Sequence, residues 1–132
     1  ILDVDTGQLE YACAGHDAPV IRRNGQFLRI DTSTVGGPPL CAADHFSFAS
    51  TSMQLQAGDL LCLFTDGVTE ATNGREMFGL TRLLSALDAP ESTELHAAAR
   101  LLRDAVRTFE AGHPPSDDLT LLLLRWNGPS ER

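Results

Sequence analysis

Two short acidic motifs carry the chemistry this chain could do. Asp66 follows the apolar run Leu60 to Phe64 and sits in Thr65-Asp66-Gly67, while Asp117 and Asp118 directly precede a second apolar run at 119–124. Both runs are apolar at successive positions, as expected of strands covered on both faces. If the two strands are antiparallel neighbours, the end of one lies beside the start of the other, and Asp66 meets Asp117 or Asp118 there. Carboxylates crowded together repel, and burial raises that cost. A hard divalent cation such as Mg²⁺ or Mn²⁺, which takes oxygen ligands and keeps waters, would make the pair tolerable. Gly67 has no Cβ and would let the backbone approach such an ion. The plainer alternative is turn chemistry: Thr-Asp-Gly is a common turn, and Ser116-Asp117-Asp118 can start a strand with an Asx turn.

The other candidates are weaker. His16 follows Gly15 in Ala-Gly-His-Asp-Ala-Pro (14–19), where a sharp turn would aim the imidazole outward, toward phosphate or a metal-bound water. A lone loop histidine is also ordinary polar surface. His45, His96 and His113 show no ligand spacing with one another or with a cysteine, which argues against zinc. No phosphate-binding glycine loop and no Gly-x-Ser-x-Gly elbow occurs. Gly36-Gly37-Pro38-Pro39 reads as a stiff loop without assignable chemistry.

The elements that must position these residues follow from periodicity. Segments 1–4 and 8–13 alternate across Asp5-Thr6-Gly7 as a hairpin, with Leu9, Tyr11 and Cys13 on one face. Asn24-Gly25 marks a second hairpin, because both central residues tolerate positive φ. Alternation resumes at Phe46 and Phe48 and runs to about Leu55, before Ala57-Gly58-Asp59 turns the chain into 60–64. Leu80, Leu83, Leu84 and Leu87 recur at helical spacing, and Pro90 closes that helix. Ser92 is a candidate N-cap for a second helix, with Glu94 in its first turn. Its stripe is Leu95, Ala98, Leu102, Ala105, Val106 and Phe109, ending at Gly112 and Pro114-Pro115.

Strands segregated from helices predict an α+β fold, an antiparallel sheet with two helices on one face. The other face, apolar along 60–64 and 119–124, needs a cover from sequence not shown here or from a second copy of the chain. The chain opens without a Met, on an alternating pattern entered midway, as a piece of a longer protein would.

Bulk properties set the class. With 132 residues, 42% hydrophobic and a net charge of −8, the chain reads as one acidic globular domain without the basic face that nucleic acid requires. No apolar run approaches the ~20 residues that span a bilayer, so no membrane segment is expected. Cys13, Cys41 and Cys62 form no Cys-x-x-Cys pair, and unpaired thiols fit a reducing, cytoplasmic setting.

Four motifs occur in order: AGHDAP (14–19), AGDLLCLFTDGVTEATN (57–73), MFG (77–79) and SDDLTLLLLR (116–125). Together, over nearly the whole chain, they resemble the C-terminal half of a PPM-type, metal-dependent serine/threonine phosphatase of the bacterial SpoIIE-like branch. The resemblance implies part of an α-β-β-α sandwich with a two-metal Mn²⁺/Mg²⁺ centre at one edge, where metal-activated water attacks a phosphoserine or phosphothreonine. It implies that Asp66 and Asp117 are metal ligands, that Asp118 supports them, and that Gly67, Gly15 and His16 lie near the site. The substrate it implies is a phosphorylated regulatory protein such as an anti-sigma-factor antagonist. The family's N-terminal motifs, Gly-Asp and Asp-x-x-Gly-His-Gly, which include an aspartate bridging both metals, have no counterpart here. Val35 to Leu40 also replaces the branch's usual Leu-Gly turn. The expectation is therefore an active longer protein and a weak or inactive fragment. One alternative is a degenerate phosphatase half that acts as a protein-binding regulator. An aspartyl-nucleophile phosphotransferase is disfavoured, because its first Asp would fall at Phe64.

Overall fold

The computed structural model describes residues 1–89 and 94–129, which form eight strands and three helices. In chain order the elements are β1 (Gln8–Tyr11), β2 (Cys13–Ala14), β3 (Val20–Arg23), β4 (Gln26–Arg29), β5 (Gly36–Gly37), β6 (Thr51–Gln54), β7 (Leu60–Phe64), α1 (Asp66–Thr69), α2 (Gly79–Leu87), α3 (Leu95–Glu110) and β8 (Leu121–Arg125). Pro90 and Ser92, expected to close α2 and cap α3, lie outside the described residues. Two compact units are present: Ile1–Leu61 with Arg125–Arg132, and Cys62–Leu124. The strand order of the largest sheet is β4-β3-β7-β8.

In the first unit, β1 pairs antiparallel with β6, and β3 with β4. The β3–β4 turn is built as its sequence demands, with Asn24 at φ 50° and Gly25 at φ 75°. The first segment is shorter than expected, a single bridge from Leu2 to Leu9, because Asp3 folds back to accept the Asp5 and Thr6 amides. Two further expectations are corrected. Gly36 and Gly37 form not only a loop but a parallel pairing with Cys13 and Ala14, so the fold is not purely antiparallel. The stretch from Phe46 becomes a strand only at Thr51–Gln54. Phe46 and Phe48 instead stack edge to face, 4.9 Å between centroids, against Gly37, where a Cβ would lie 2.6 Å from Phe46. The core here contains Leu9, Val20, Ile21, Ile30, Val35, Leu55, Leu60 and Leu61.

One buried ion pair anchors the start of β7. Asp59 is 1% exposed and accepts from Arg23 Nε at 3.0 and 3.1 Å, from Arg23 Nη2 at 2.6 Å and from the Gln56 amide at 2.8 Å. The hydrogen bonds to Asp59 hold the Arg23 guanidinium above its ordinary pKa. Local sequence marks Ala57-Gly58-Asp59 only as a turn.

In the second unit, α2 buries Leu83 and Leu87, and α3 buries Ala98, Leu102 and Val106. These are members of the two predicted stripes. Phe78 and Phe109 meet edge to face at 5.5 Å, and the Arg82 guanidinium lies 4.6 Å over the Phe109 ring. Glu94 occupies the N-cap position of α3 rather than its first turn. At the other end the predicted Gly112 takes positive φ (87°), and Ala111 before it is left-handed as well (φ 52°). Glu110, unremarked in the sequence, is 4% exposed and accepts from Arg107 at 3.0 Å.

The strands flanking the acidic motifs are antiparallel. The Trp126 amide donates to the Asp59 carbonyl at 3.1 Å and the Thr65 amide to the Thr120 carbonyl at 3.2 Å, so the chain advances from 59 to 65 as its partner retreats from 126 to 120. β7 is buried on both faces, with only Leu63 partly accessible. β8 begins two residues later than expected and is largely half-exposed, with Leu122 at 51%. Of these two strands, β8 is therefore the one that leaves apolar surface open, with Leu122 the most exposed.

Candidate metal centre

Asp66 is placed by three consecutive residues with different tasks. Phe64 is buried and ends β7, while Thr65 adopts an extended conformation (φ −83°, ψ 161°) and precedes a single helical turn. Asp66 is the first residue of that turn, exposed, with its carbonyl accepting the Glu70 amide at 2.7 Å. Val68 and Ala71 are fully buried and pin the turn from below. Thr69-Glu70-Ala71 passes through and just beyond α1.

The second acidic motif lies against this turn. A Cβ added to Gly67 would overlap the Asp118 carbonyl oxygen and come within 2.9 Å of the Asp118 carbonyl carbon and 3.2 Å of that of Asp117. Gly67 was expected to leave room for an ion; the space beside it is taken by the Asp117–Asp118 backbone. The function of the missing Cβ is to let the two acidic segments touch. Thr65 Oγ1 donates to the Asp118 carbonyl at 2.8 Å and accepts the Thr120 amide at 3.0 Å. One Asp117 carboxylate oxygen accepts the Asp118 amide at 2.7 Å. Ser116 Oγ donates to the Glu70 carbonyl at 3.3 Å, a further tie between the segments.

Asp66, Asp117 and Asp118 are all exposed, so the burial cost anticipated for them does not arise. Among the described residues, no Arg or Lys pairs with any of the three. Carboxylate oxygens open to water, without a cationic partner, suit a hard ion that keeps several waters. Among the described residues no group of three or more His, Cys, Asp or Glu is placed to hold a metal. Asp66, Asp117 and Asp118 are exposed carboxylates on the two segments that meet at Gly67.

His16 and Gly15 belong to the first unit. Gly15 takes φ 71° and packs on Pro39, which turns His16 to the surface as its sequence context predicted. The imidazole Nδ1 lies 3.1 Å from the Asp17 carbonyl, and the His16 carbonyl accepts from Cys13 Sγ at 3.1 Å. Cys62 lies within β7, and burial pushes its thiol up to about 12, which removes it as a thiolate ligand or nucleophile.

Residues 1–127 match the family model described as Stage II sporulation protein E (SpoIIE). The chain belongs to the SpoIIE family. This SpoIIE-family chain is 27% identical over 128 residues to Protein IcfG of Synechocystis, covering 96% of the chain and 20% of that protein. Its fold is that of the phosphatase domain of SpoIIE from Bacillus subtilis, solved after presoaking with Mn (TM-score 0.72, 21% identity, 100% of this chain and 56% of that one). It also resembles the catalytic domain of the serine/threonine phosphatase PstP in complex with two manganese ions (TM-score 0.60, 19% identity, 89% and 53%). The SpoIIE-family chain thus has the PPM-type phosphatase fold and spans about half of those solved domains. No helix among the described residues is long and apolar enough to cross a membrane.

Sequence reasoning missed Thr65. The available signal was a β-branched hydroxyl residue between a buried strand end and an exposed acid, at the point where a neighbouring strand has just begun.

Proposed function

We propose that this segment is the C-terminal part of a PPM-type phosphatase domain, and that the whole protein hydrolyses phosphoserine or phosphothreonine on a regulatory protein of the anti-sigma-factor-antagonist class. The observation that carries the proposal is the contact of Gly67 with the Asp117–Asp118 backbone, which sets two unpaired acids at one end of an antiparallel strand pair. Asp66 and Asp117 would hold Mn²⁺ or Mg²⁺, and Asp118 would steady Asp117 through its amide. When bound, the ions supply Lewis acidity and a water nucleophile at neutral pH. The chain's own part is to fix the two carboxylates on rigid strand ends and to keep cationic side chains away from them, so that their charge faces the ion. The remaining ligands, a cover for β8 and any role of His16 toward substrate are assigned to the rest of the domain, so the segment alone is expected to turn over weakly or not at all.

The test is Asp66→Asn in the full-length protein, assayed on a phosphoserine peptide with Mn²⁺. Loss of a ligand should lower the rate by about 100-fold or more. A rate unchanged by the substitution refutes the metal role. Metal-independent protein binding by both forms, without turnover by either, favours the degenerate-regulator alternative instead.

A further inference from the structure

We propose that Thr65 is a positioning residue that sets metal affinity, its hydroxyl fastening the Asp66 turn to the Asp117–Asp118 segment; this rests on the metal-centre proposal above. Thr65 contributes three hydrogen bonds to the neighbouring segment 118–120. Its amide donates to the Thr120 carbonyl at 3.2 Å, its hydroxyl accepts the Thr120 amide at 3.0 Å, and the same hydroxyl donates to the Asp118 carbonyl at 2.8 Å. The hydroxyl therefore bridges a donor and an acceptor two residues apart, just where the ladder would otherwise open. At a helix start a threonine hydroxyl ordinarily caps the helix's own amides. Here it makes no such bond. Both of its hydrogen bonds go instead to the segment from Asp118 to Thr120.

The consequence is geometric. Asp66 is covalently next to Thr65, and the Asp118 carbonyl that Thr65 holds is also the group pressed against Gly67. The hydroxyl draws the segments together while the Gly67 Cα sets how near they come. Asp66 and Asp117 lie on the two segments so joined. Two exposed carboxylates repel, so without the fastening they would drift apart when no ion is present, and an ion would have to order them on binding. Groups that orient ligands without touching the ion typically change affinity by roughly 10- to 100-fold.

The experiment uses the metal-stripped full-length protein and four forms: wild type, Thr65→Val, Thr65→Ser and Asp66→Asn. Mn²⁺ binding is measured by titration calorimetry, and the metal-free melting temperature is recorded for each. Thr65→Val keeps the shape and removes the hydroxyl, and should weaken Mn²⁺ binding roughly tenfold or more. Thr65→Ser retains the hydroxyl and should bind as wild type does. Asp66→Asn should lose the site. If Thr65→Val binds Mn²⁺ as wild type does while Asp66→Asn does not, the positioning role is wrong and the metal centre stands. If Asp66→Asn also binds normally, the metal centre itself is wrong and the Thr65 role falls with it. Should Thr65→Val fail to fold, Thr65→Ser decides: tenfold weakening there, at an unchanged melting temperature, overturns the role of the hydroxyl.

Discussion

Replacing Arg23 with Met should destabilise this chain by about 3 kcal/mol. Asp59 is 1% exposed and receives three of its four hydrogen bonds from Arg23, at 3.0, 3.1 and 2.6 Å. Arg23→Met leaves only the Gln56 amide, at 2.8 Å, on a buried carboxylate. Removing one member of a buried pair costs about 3–5 kcal/mol, because the other charge is left without compensation. The Arg23 side chain is 20% exposed, so water can reach part of the site and the lower end applies. At roughly 4 °C per kcal/mol for a domain of this size, the melting temperature should fall by about 12 °C, read by circular dichroism at 222 nm. Because Asp59 raises the folded-state pKa of Arg23, the contribution is complete below the ordinary arginine range and is lost only above it. The deficit of the variant should therefore be the same at pH 7 and pH 9. Asp59→Asn combined with Arg23→Met should cost less than Arg23→Met alone, since the unpaired charge is gone. A single variant within about 0.5 kcal/mol of wild type would refute the reasoning.

Three further outcomes follow from packing. Leu102→Ala, at a fully buried position of α3, should lose about 3 kcal/mol in urea unfolding; a loss near zero would mean that α3 is not held by this face. Gly7→Ala places a Cβ 2.6 Å from the Trp126 ring at a residue with φ 77°, so the sole tryptophan should shift its emission to the red and stability should drop by about 1–3 kcal/mol; an unchanged spectrum would contradict the contact. A thiol reagent should label one cysteine rapidly in the native protein, exposed Cys41, since Cys13 and Cys62 are buried and the Cys62 thiol is pushed up to about 12; two fast thiols would show that β2 or β7 opens.

The meeting of the two acidic motifs was legible because it depends on local pattern plus one topological assumption. Leu60 to Phe64 is apolar at every position and proved buried on both faces apart from Leu63. An antiparallel neighbour then had to bring Asp66 beside Asp117 and Asp118. The hairpin at Asn24-Gly25 was equally plain, since few other pairs accept φ 50° and 75° in sequence. The alternation from Phe46 misled, because Phe46 and Phe48 found a glycine to pack on rather than a strand partner. The exposure of the acids was also misjudged, as a buried strand does not require a buried tip.

Sequence alone determined the periodic faces, the turn residues and the acids at two strand ends, all of which are set by the side chain's own size, branching and charge within a few positions. Only the tertiary structure decided what those residues touch. Arg23 and Asp59 are 36 residues apart and Thr65 and Asp118 are 53 apart, and nothing local in either motif names its partner. A hydroxyl or a guanidinium can bond to many groups, and the group it does bond to is fixed by which strands pair. Gly67 shows the same division. The sequence required some close approach at that position, and the pairing of β7 with β8 made it the Asp118 carbonyl.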